Sequence, residues 1–270
     1  MNAMAKQLSN LHPMQVVFLR ALGTFVFIFP YMLWHKVSII GKNVGMLTAR
    51  ALVGIVSLAT FFICLQRIPL ASAVSMRYLG PVFGAIMAYY FLKEKINNWQ
   101  WLSFVISFSG VLVIKGFDLR IDYLSLVLVL TSALFLGTVF VIIRYLSTRE
   151  HYLTIINYFM VVSMLLGVCF INRWRMPGGD EWPAVIGSGV FGLIGQVFMT
   201  KAYQLVEASV LAPFKYAGLI YALIIGYFFF QETFTLMPLL GIGLIVLGML
   251  LNIYGKRQQL ITKTSQNASS

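Results

Sequence analysis

The chain has 270 residues, of which 60% are hydrophobic and only 10% are charged, and its mean hydropathy is +0.86. Soluble domains carry about 25% charged residues, so this composition excludes a water-soluble globular protein. The net charge of +12 would suggest nucleic-acid binding in a soluble chain, but here Lys and Arg mostly lie in short gaps between apolar runs. Membrane topology accounts for that distribution. We therefore expect an integral protein of the lipid bilayer with no nucleic-acid partner.

Apolar runs of about 20 residues recur along the chain, and a helix of that length crosses the hydrocarbon core. The runs are continuous rather than alternating, which favours helices over a β-barrel. The sequence thus predicts an all-α membrane protein with nine transmembrane helices. The predicted spans cover residues 14–34, 46–66, 71–92, 98–115, 122–145, 152–171, 183–204, 209–230 and 235–254.

An internal repeat becomes visible when the sequence is aligned with itself at an offset of 138 positions. The stretch YLGPVFGAIMAYYFLKE at 78–94 then falls on YAGLIYALIIGYFFFQE at 216–232 without a gap, with Tyr, Gly and Glu residues matched. KQLS at 6–9 falls on RYLS at 144–147, which closes the predicted helix at 122–145. The second half therefore has five predicted helices, whereas the first half has four and the tail of a fifth.

This repeat predicts the domain organisation. We expect the first repeat in 1–116, as helices 2 to 5 with the tail of helix 1 at 1–10. The second repeat is expected in 117–255 as helices 6 to 10, followed by a cytoplasmic polar tail at 256–270. Because five is an odd number, the two halves enter the membrane in opposite directions. That is the inverted-repeat design of many transporters, whose substrate sites lie near the midplane between the repeats.

The distribution of Lys and Arg predicts the orientation. One side of the predicted membrane carries ten of these residues, among them Arg50 at the start of the 46–66 helix, and the other side carries six. Segments rich in Lys and Arg stay in the cytoplasm, so the first side, which includes the C-terminus, is expected there. We expect a multi-pass protein of the plasma (inner) membrane.

Four basic residues are left after this count, and they lie well inside the predicted spans or near a helix end: Arg20, Arg77, Lys201 and Lys215. A cation in a span costs at least a few kcal/mol when it faces lipid, so such residues usually face the bundle interior or a cavity. Arg77 and Lys215 correspond at the 138-residue offset, and we expect both to bind an anionic or zwitterionic substrate in a central cavity. Snorkelling to the headgroups is the alternative; it is favoured for Lys201, and for Arg20 it stays open beside a structural pairing and a cavity role.

Prolines and tyrosines accompany this pair of cations. Pro81 and Pro213 lie within four residues of Arg77 and Lys215, where each would bend its helix and leave carbonyl groups free to line a cavity. A bend that serves packing alone is the alternative. Tyr78 and Tyr216 follow the two cations directly and are candidates for hydrogen bonding to a ligand or stacking on it. Tyrosines in spans also lie in the interfacial belt, which is the alternative for both.

Two carboxylates close the matched stretches. Glu94 ends YYFLKE and Glu232 ends YFFFQE, and the inverted topology places one at each face of the membrane. Each is a candidate for an ion pair with a nearby basic residue, or for proton transfer or gating. We favour the structural ion pair at both positions.

The sequence offers little support for catalysis. His12, His35 and His151 lie at the edges of predicted spans, and none has a His, Cys or carboxylate at metal-ligand spacing. No GxxxxGK[ST] phosphate loop is present, so an ATP-driven pump would need a partner chain. We expect no enzyme activity, no metal and no cofactor. A secondary transporter of a small polar molecule is the leading hypothesis, and a non-transporting scaffold or lipid-handling subunit is the alternative.

Several stretches resemble the EamA-type branch of the drug/metabolite transporter superfamily. They are FLRALGTFVFIFP, RYLGPVFGAIMAYYFLKE and PFKYAGLIYALIIGYFFFQE, while LHPMQVVFLR and APFKYAGL are similar to the S-adenosylmethionine uptake branch. The resemblance covers essentially the whole chain and implies ten helices, cytoplasmic termini and a central cavity between repeats. It also implies alternating-access transport of a metabolite with a carboxylate and a nucleoside-like part, and it is compatible with a homodimer.

The ten-helix pattern of that family and the nine predicted spans together indicate that most of a first helix is missing before Met1. The coding region upstream of Met1 is therefore expected to contain an in-frame apolar run of about 20 codons. Reading that region tests the expectation. A stop codon or a polar stretch there would contradict it.

Overall fold

The protein, described here from a computed structural model, is a bundle of α-helices, and its described residues contain no β-strand. The structure describes residues 1–93, 96–118, 121–205, 208–233 and 235–268. Side chains are described at these positions except 92, 117, 203–205, 208–217, 219, 256 and 259–268. The predicted all-α architecture is confirmed for this part of the chain.

The helices follow one another with short connections. Their bounds, in chain order, are α1 Asn2–Gln7, α2 Pro13–Trp34, α3 Val44–Arg67, α4 Leu70–Arg77, α5 Gly80–Leu92, α6 Asn98–Phe117, α7 Tyr123–Leu146, α8 Tyr152–Val168, α9 Trp182–Leu205, α10 Ala208–Phe230 and α11 Leu236–Ala268. A 3-10 turn at Ile171–Arg173 lies between α8 and α9. α11 continues well into 256–270, where the sequence suggested only a polar tail.

Helix boundaries recur at the offset of the sequence repeat. α3 and α9 both start and end 138 residues apart, and the first residues of α6 and α11 show the same separation. α4 and α5 together occupy the stretch that corresponds to the single helix α10. α1 corresponds to the last turns of α7. The order of helices in the two halves is therefore the same over these elements.

Most of the predicted spans meet the length and hydropathy of a membrane crossing. Seven such segments are present among the described residues: Pro13–Trp34, Val44–Arg67, Leu70–Phe91, Asn98–Gly116, Tyr123–Leu146, Trp182–Ala202 and Leu236–Gly255. The other two predicted runs, 152–171 and 209–230, contain the shorter apolar segments Tyr152–Val168 and Ile220–Phe230. Every predicted run thus overlaps a helix, while the number of nine crossings remains a prediction.

The predicted 71–92 helix is interrupted near its middle. α4 ends at Arg77, and the backbone tightens there because the amides of Tyr78 and Leu79 donate to the carbonyls of Ser75 and Met76, three residues back. α5 then begins with Pro81 in its first turn, where a missing amide hydrogen costs nothing. The corresponding helix α10 is continuous along its described backbone, although Pro213 lies in it. The repeat is therefore broken in its first copy only.

Two of the histidines at helix ends have structural roles. Nδ1 of His12 accepts from the Met14 amide at the start of α2, and Nδ1 of His151 accepts from the Leu153 amide at the start of α8, each at 3.3 Å. Burial lowers the pKa of both rings, with smaller contributions from the charges of Arg173 and Lys201 respectively. The rings are therefore held in the neutral form, which an N-cap acceptor requires.

Glycine pairs set the closest helix contacts. Gly23 of α2 meets Gly189 of α9, Gly84 of α5 meets Gly137 of α7, and α6 crosses α11 through another pair of glycines. A Cβ added to Gly137 would lie 2.5 Å from the Gly84 amide nitrogen. Small residues of this kind let helix backbones pack closely in a bilayer, where no hydrophobic force drives helices together.

The α6–α11 crossing offers a matched pair of substitutions. A Cβ at Gly241 would lie 2.7 Å from the Gly110 carbonyl oxygen and 2.6 Å from Cγ1 of Ile114, whereas one at Gly243 would meet no atom within 4 Å. We expect Gly241→Ala to lower the free energy of unfolding by about 1–3 kcal/mol through overpacking. Gly243→Ala should be neutral or stabilising. Thermal unfolding in detergent checks this, and equal melting temperatures for the two variants would contradict it.

Candidate functional site

A cavity of about 300 Å³ lies at the centre of the bundle. Its walls come from α1, α2, α3, α4, α5, α7, α8 and α9, so both halves of the chain contribute. Several lining positions are partners at the 138-residue offset. These pairs are Met1 and Val139, Asn2 and Phe140, Ser57 and Gly195, Leu58 and Gln196, and Phe61 and Met199. The cavity is therefore built on the repeat.

The break between α4 and α5 places Arg77, Tyr78 and Pro81 on this cavity. The guanidinium of Arg77 lies over the Phe61 ring, 4.0 Å from its centroid, and its buried Nε has no hydrogen-bond partner among the described residues. The phenol of Tyr78 reaches α10, where its oxygen packs directly against Gly218. Three residues that the sequence singled out thus lie together, at the end of a helix that stops inside the bundle.

Arg20 lines the same cavity from α2. Its side chain is buried, packs against the glycine at position 192 on α9, and donates from Nε to the sulfur of Met1 at 3.2 Å. A thioether is a weak acceptor for a charged donor. The burial of this side chain inside the bundle favours a cavity role for Arg20 over snorkelling.

Arg50 is a cavity residue that the sequence analysis did not identify. It lies in the second turn of α3, is only 1% exposed, and its guanidinium stacks 4.2 Å from the centroid of the Phe159 ring. Nη2 donates to Oε1 of Gln196 at 3.3 Å, while Nε and Nη1 have no partner among the described residues. The sequence analysis counted Arg50 as a topology signal at one face, and the structure places its side chain in the cavity. The available signal was its place inside an apolar run.

The cavity is strongly electropositive. Arg20 is close enough to both Arg50 and Arg77 to repel them electrostatically, and none of the described lining residues is acidic. Buried charges are normally paired, since an isolated ion loses its hydration on burial. An anion that entered this cavity would therefore meet three cations and several unused N–H donors.

The other predicted site residues are placed as follows. The side chains of Pro213, Lys215 and Tyr216 lie outside the described part of α10, and Glu94 lies outside the described residues altogether. Their predicted roles stay predictions. No group of three or more His, Cys, Asp or Glu side chains able to hold a metal ion occurs among the described residues.

Comparison with known proteins agrees with this architecture. Residues 1–116 and 123–254 match the model of the EamA-like transporter family. The chain belongs to that family. The same two segments leave out only the residues between them and the last residues of the chain, so the family assignment covers the whole cavity.

Individual relatives of this EamA-like protein are transporters by name, and none of those named here is an enzyme. A pseudopaline exporter of Pseudomonas aeruginosa is 32% identical over 251 residues, which is 91% of this chain and 88% of that protein. An S-adenosylmethionine uptake transporter of Rickettsia felis is 26% identical over 276 residues, 97% of this chain and 90% of that protein. A crystal structure with 16% identity covers 95% of this chain and 94% of its own, with a TM-score of 0.69, and shows the same fold.

Glu232 closes one end of the EamA-like bundle. Its carboxylate forms a short ion pair with Lys6, and Oε1 also accepts from the Leu70 amide at 2.6 Å, the first residue of α4. Lys6 additionally donates to the Ile68 carbonyl at 3.1 Å. Glu232 is 6% exposed, so this contact is sheltered from solvent. A carboxylate of the second half thus joins the C-terminal end of α1 to the N-terminal end of α4 in the first half.

The exposed pair of Arg67 and Asp122, 2.7 Å apart on the same end of the bundle, is a natural control for the buried pair of Lys6 and Glu232. We expect Lys6→Met or Glu232→Gln to lower the free energy of unfolding by about 2 kcal/mol, because a sheltered charge loses its partner. Arg67→Met and Asp122→Asn should show little coupling, since exposed ion pairs are screened by water.

Double-mutant cycles on detergent-solubilised protein measure both couplings. Equal coupling for the two pairs would contradict the structural role of Glu232.

Proposed function

We propose that this EamA-like protein is a secondary transporter that moves a small anionic or zwitterionic metabolite across the plasma membrane by alternating access. The observation that carries the proposal is Arg77, a cation with an unused donor at the end of an interrupted helix, facing a cavity between the two repeats. Arg20 and Tyr78 complete the predicted binding surface on its described side. Lys215 and Tyr216 are proposed to contribute from α10.

The energetic cost of the site supports binding rather than a purely structural role. A cation in a membrane interior is expensive and is usually retained for substrate, ion or proton pathways. Arg77 contacts an aromatic ring instead of a carboxylate, and its Nε has no partner among the described residues. A substrate carboxylate would supply the missing acceptor and would neutralise part of the charge.

The construction of the cavity supports alternating access. Lining positions on α3 and α9 correspond at the repeat offset, and helices interrupted near a binding site are common in transporters with repeated halves. Glu232 joins residues of both halves at one end of the bundle. We propose that opening at that end separates this contact, so that Glu232 belongs to a gate, with Glu94 proposed for the other face.

The names of the relatives support a metabolite as the substrate, and they are compatible with both export and uptake. One is named an exporter of pseudopaline and another an uptake transporter for S-adenosylmethionine. We propose a cytoplasmic C-terminus from the Lys and Arg distribution. A homodimer remains compatible with the family resemblance.

Untargeted metabolite profiling of cells and medium tests the transport function. The wild-type protein should shift the distribution of at least one anionic or zwitterionic metabolite, and Arg77→Ala should reduce that shift at least tenfold because the substrate loses a charge partner in the cavity. Arg67→Ala is the matched control, an exposed arginine that should leave transport unchanged.

Membrane abundance and melting temperature are measured for each variant, so that lost folding is not mistaken for lost transport. Normal flux in a well-folded Arg77→Ala protein would contradict the proposed site. No metabolite shift with any form would contradict the transporter.

A further inference from the structure

Arg50 adds a second charged pole to the cavity. Its side chain is essentially inaccessible, it is aimed at Gln196 and Phe159, and two of its three guanidinium nitrogens have no partner among the described residues. In a folded protein nearly all buried donors are satisfied, so each exception needs an explanation. Unlike Arg77, which corresponds to Lys215, Arg50 has no basic counterpart in the repeat, because the residue at the 138-residue offset is Ser188.

The two poles are separated along α3. Nη1 of Arg50 lies 3.2 Å from a Cβ built on Gly54, whereas the guanidinium of Arg77 lies over Phe61. Gly54 and Phe61 are seven residues apart on one helix, about two turns or roughly 10 Å. Arg20 is electrostatically close to both arginines. One singly charged group is too small to satisfy both poles at once.

We propose that the substrate of this transporter is a dianion with two separate carboxylate groups, one bound by Arg77 and the other by Arg50 with Gln196 beside it. The inference rests on the proposed transport function and names its substrate class. Arg20 serves both ends of the molecule. Arginine suits this task because its planar fork binds a carboxylate through two parallel hydrogen bonds.

Charge and size both restrict the substrate further. Three arginines line the cavity and none of the described lining residues is acidic, which disfavours a molecule with net positive charge. The cavity volume of about 300 Å³ lies at the lower limit of ligand pockets and corresponds to about ten water molecules. A short dicarboxylate fits these limits better than a large cationic nucleoside derivative.

Gln196 and Phe159 hold Arg50 in place for this role. The amide oxygen of Gln196 takes one N–H of the guanidinium, and the Phe159 ring covers one of its faces. The guanidinium is therefore held in a fixed orientation. A lysine at position 50 would keep the charge but lose the fork and the stacking.

Ligand-dependent melting of the purified protein in detergent tests the inference with probes matched in chain length. Succinate, glutarate and adipate are compared with butyrate, pentanoate and hexanoate, and S-adenosylmethionine serves as the cationic probe. We expect a dicarboxylate of suitable length to bind at least 10-fold more tightly than the monocarboxylate of equal length. S-adenosylmethionine should bind more weakly than that dicarboxylate.

The variants assign the preference to Arg50. Arg50→Gln should bring the affinities for the dicarboxylate and the monocarboxylate within about threefold of each other, while the monocarboxylate, held by Arg77, changes little. Arg50→Lys should retain part of the preference, and it is the variant to use if Arg50→Gln does not fold. Arg67→Gln, at an exposed arginine outside the cavity, should bind like the wild type.

Each outcome bears on one proposal or the other. Equal wild-type affinity for dicarboxylates and monocarboxylates, or an unchanged preference in folded Arg50→Gln, overturns the dianion assignment even if transport of a monoanion depends on Arg77. Tight, Arg50-dependent dicarboxylate binding without any flux in proteoliposomes supports the dianion site and overturns the transport function.

Discussion

Three like charges held together inside a bilayer are the constraint on which the rest of this structure depends. Arg20 repels both Arg50 and Arg77, and a low-dielectric surrounding strengthens that repulsion. The bundle tolerates them because each is given an environment other than lipid: a thioether, an aromatic ring, or an amide oxygen. None of these partners neutralises a charge. The surrounding helices must therefore be held by contacts that are independent of the cavity.

Those contacts lie at the glycine crossings and at the ends of the bundle. Two glycine contacts hold helices of the first half against helices of the second with their backbones touching. These contacts are Gly23 of α2 with Gly189 of α9 and Gly84 of α5 with Gly137 of α7. The Arg67–Asp122 pair lies at the same end as Glu232, and the pKa of Asp122 is lowered to about 2, first by its hydrogen bond with Ser125 and then by Arg67. The carboxylate of Asp122 therefore stays ionised at physiological pH and continues to cap α7. The polar interior is held in place by packing and by charges at the surface.

The helices were predictable because apolar runs of membrane length are a strong local signal, and the repeat was predictable because Tyr, Gly and Glu match at one offset. Arg20, Arg77, Tyr78 and Pro81 were singled out for the same reason, as residues out of place in an apolar run. Arg50 was not, because a basic residue near the start of a span also fits a topology signal. Only the contacts of Arg50 with Phe159 on α8 and with Gln196 on α9 distinguish the two cases.

The interruption of the helix after Arg77 shows a second limit of prediction from the sequence. Both halves carry a proline near the paired cations, yet only the first copy is broken along the described backbone. Pro81 enters the first turn of a new helix, where its missing amide is harmless, whereas Pro213 lies within a continuous helix. The choice depends on what each segment packs against, since Tyr78 has space to reach α10 only because position 218 is a glycine. Local propensity does not contain that information.

α4 also has a mechanical meaning. One end of this eight-residue helix is tied to Glu232, and the other end carries Arg77 into the cavity. A helix of that length is about 12 Å long, and it leads into α5 through Tyr78 and Leu79, which keep helical backbone angles. Glu232 of the second half and the Arg77 guanidinium of the first half are therefore connected through a single short helix. α4 therefore links the end of the bundle that contains Glu232 to the cavity that contains the three arginines.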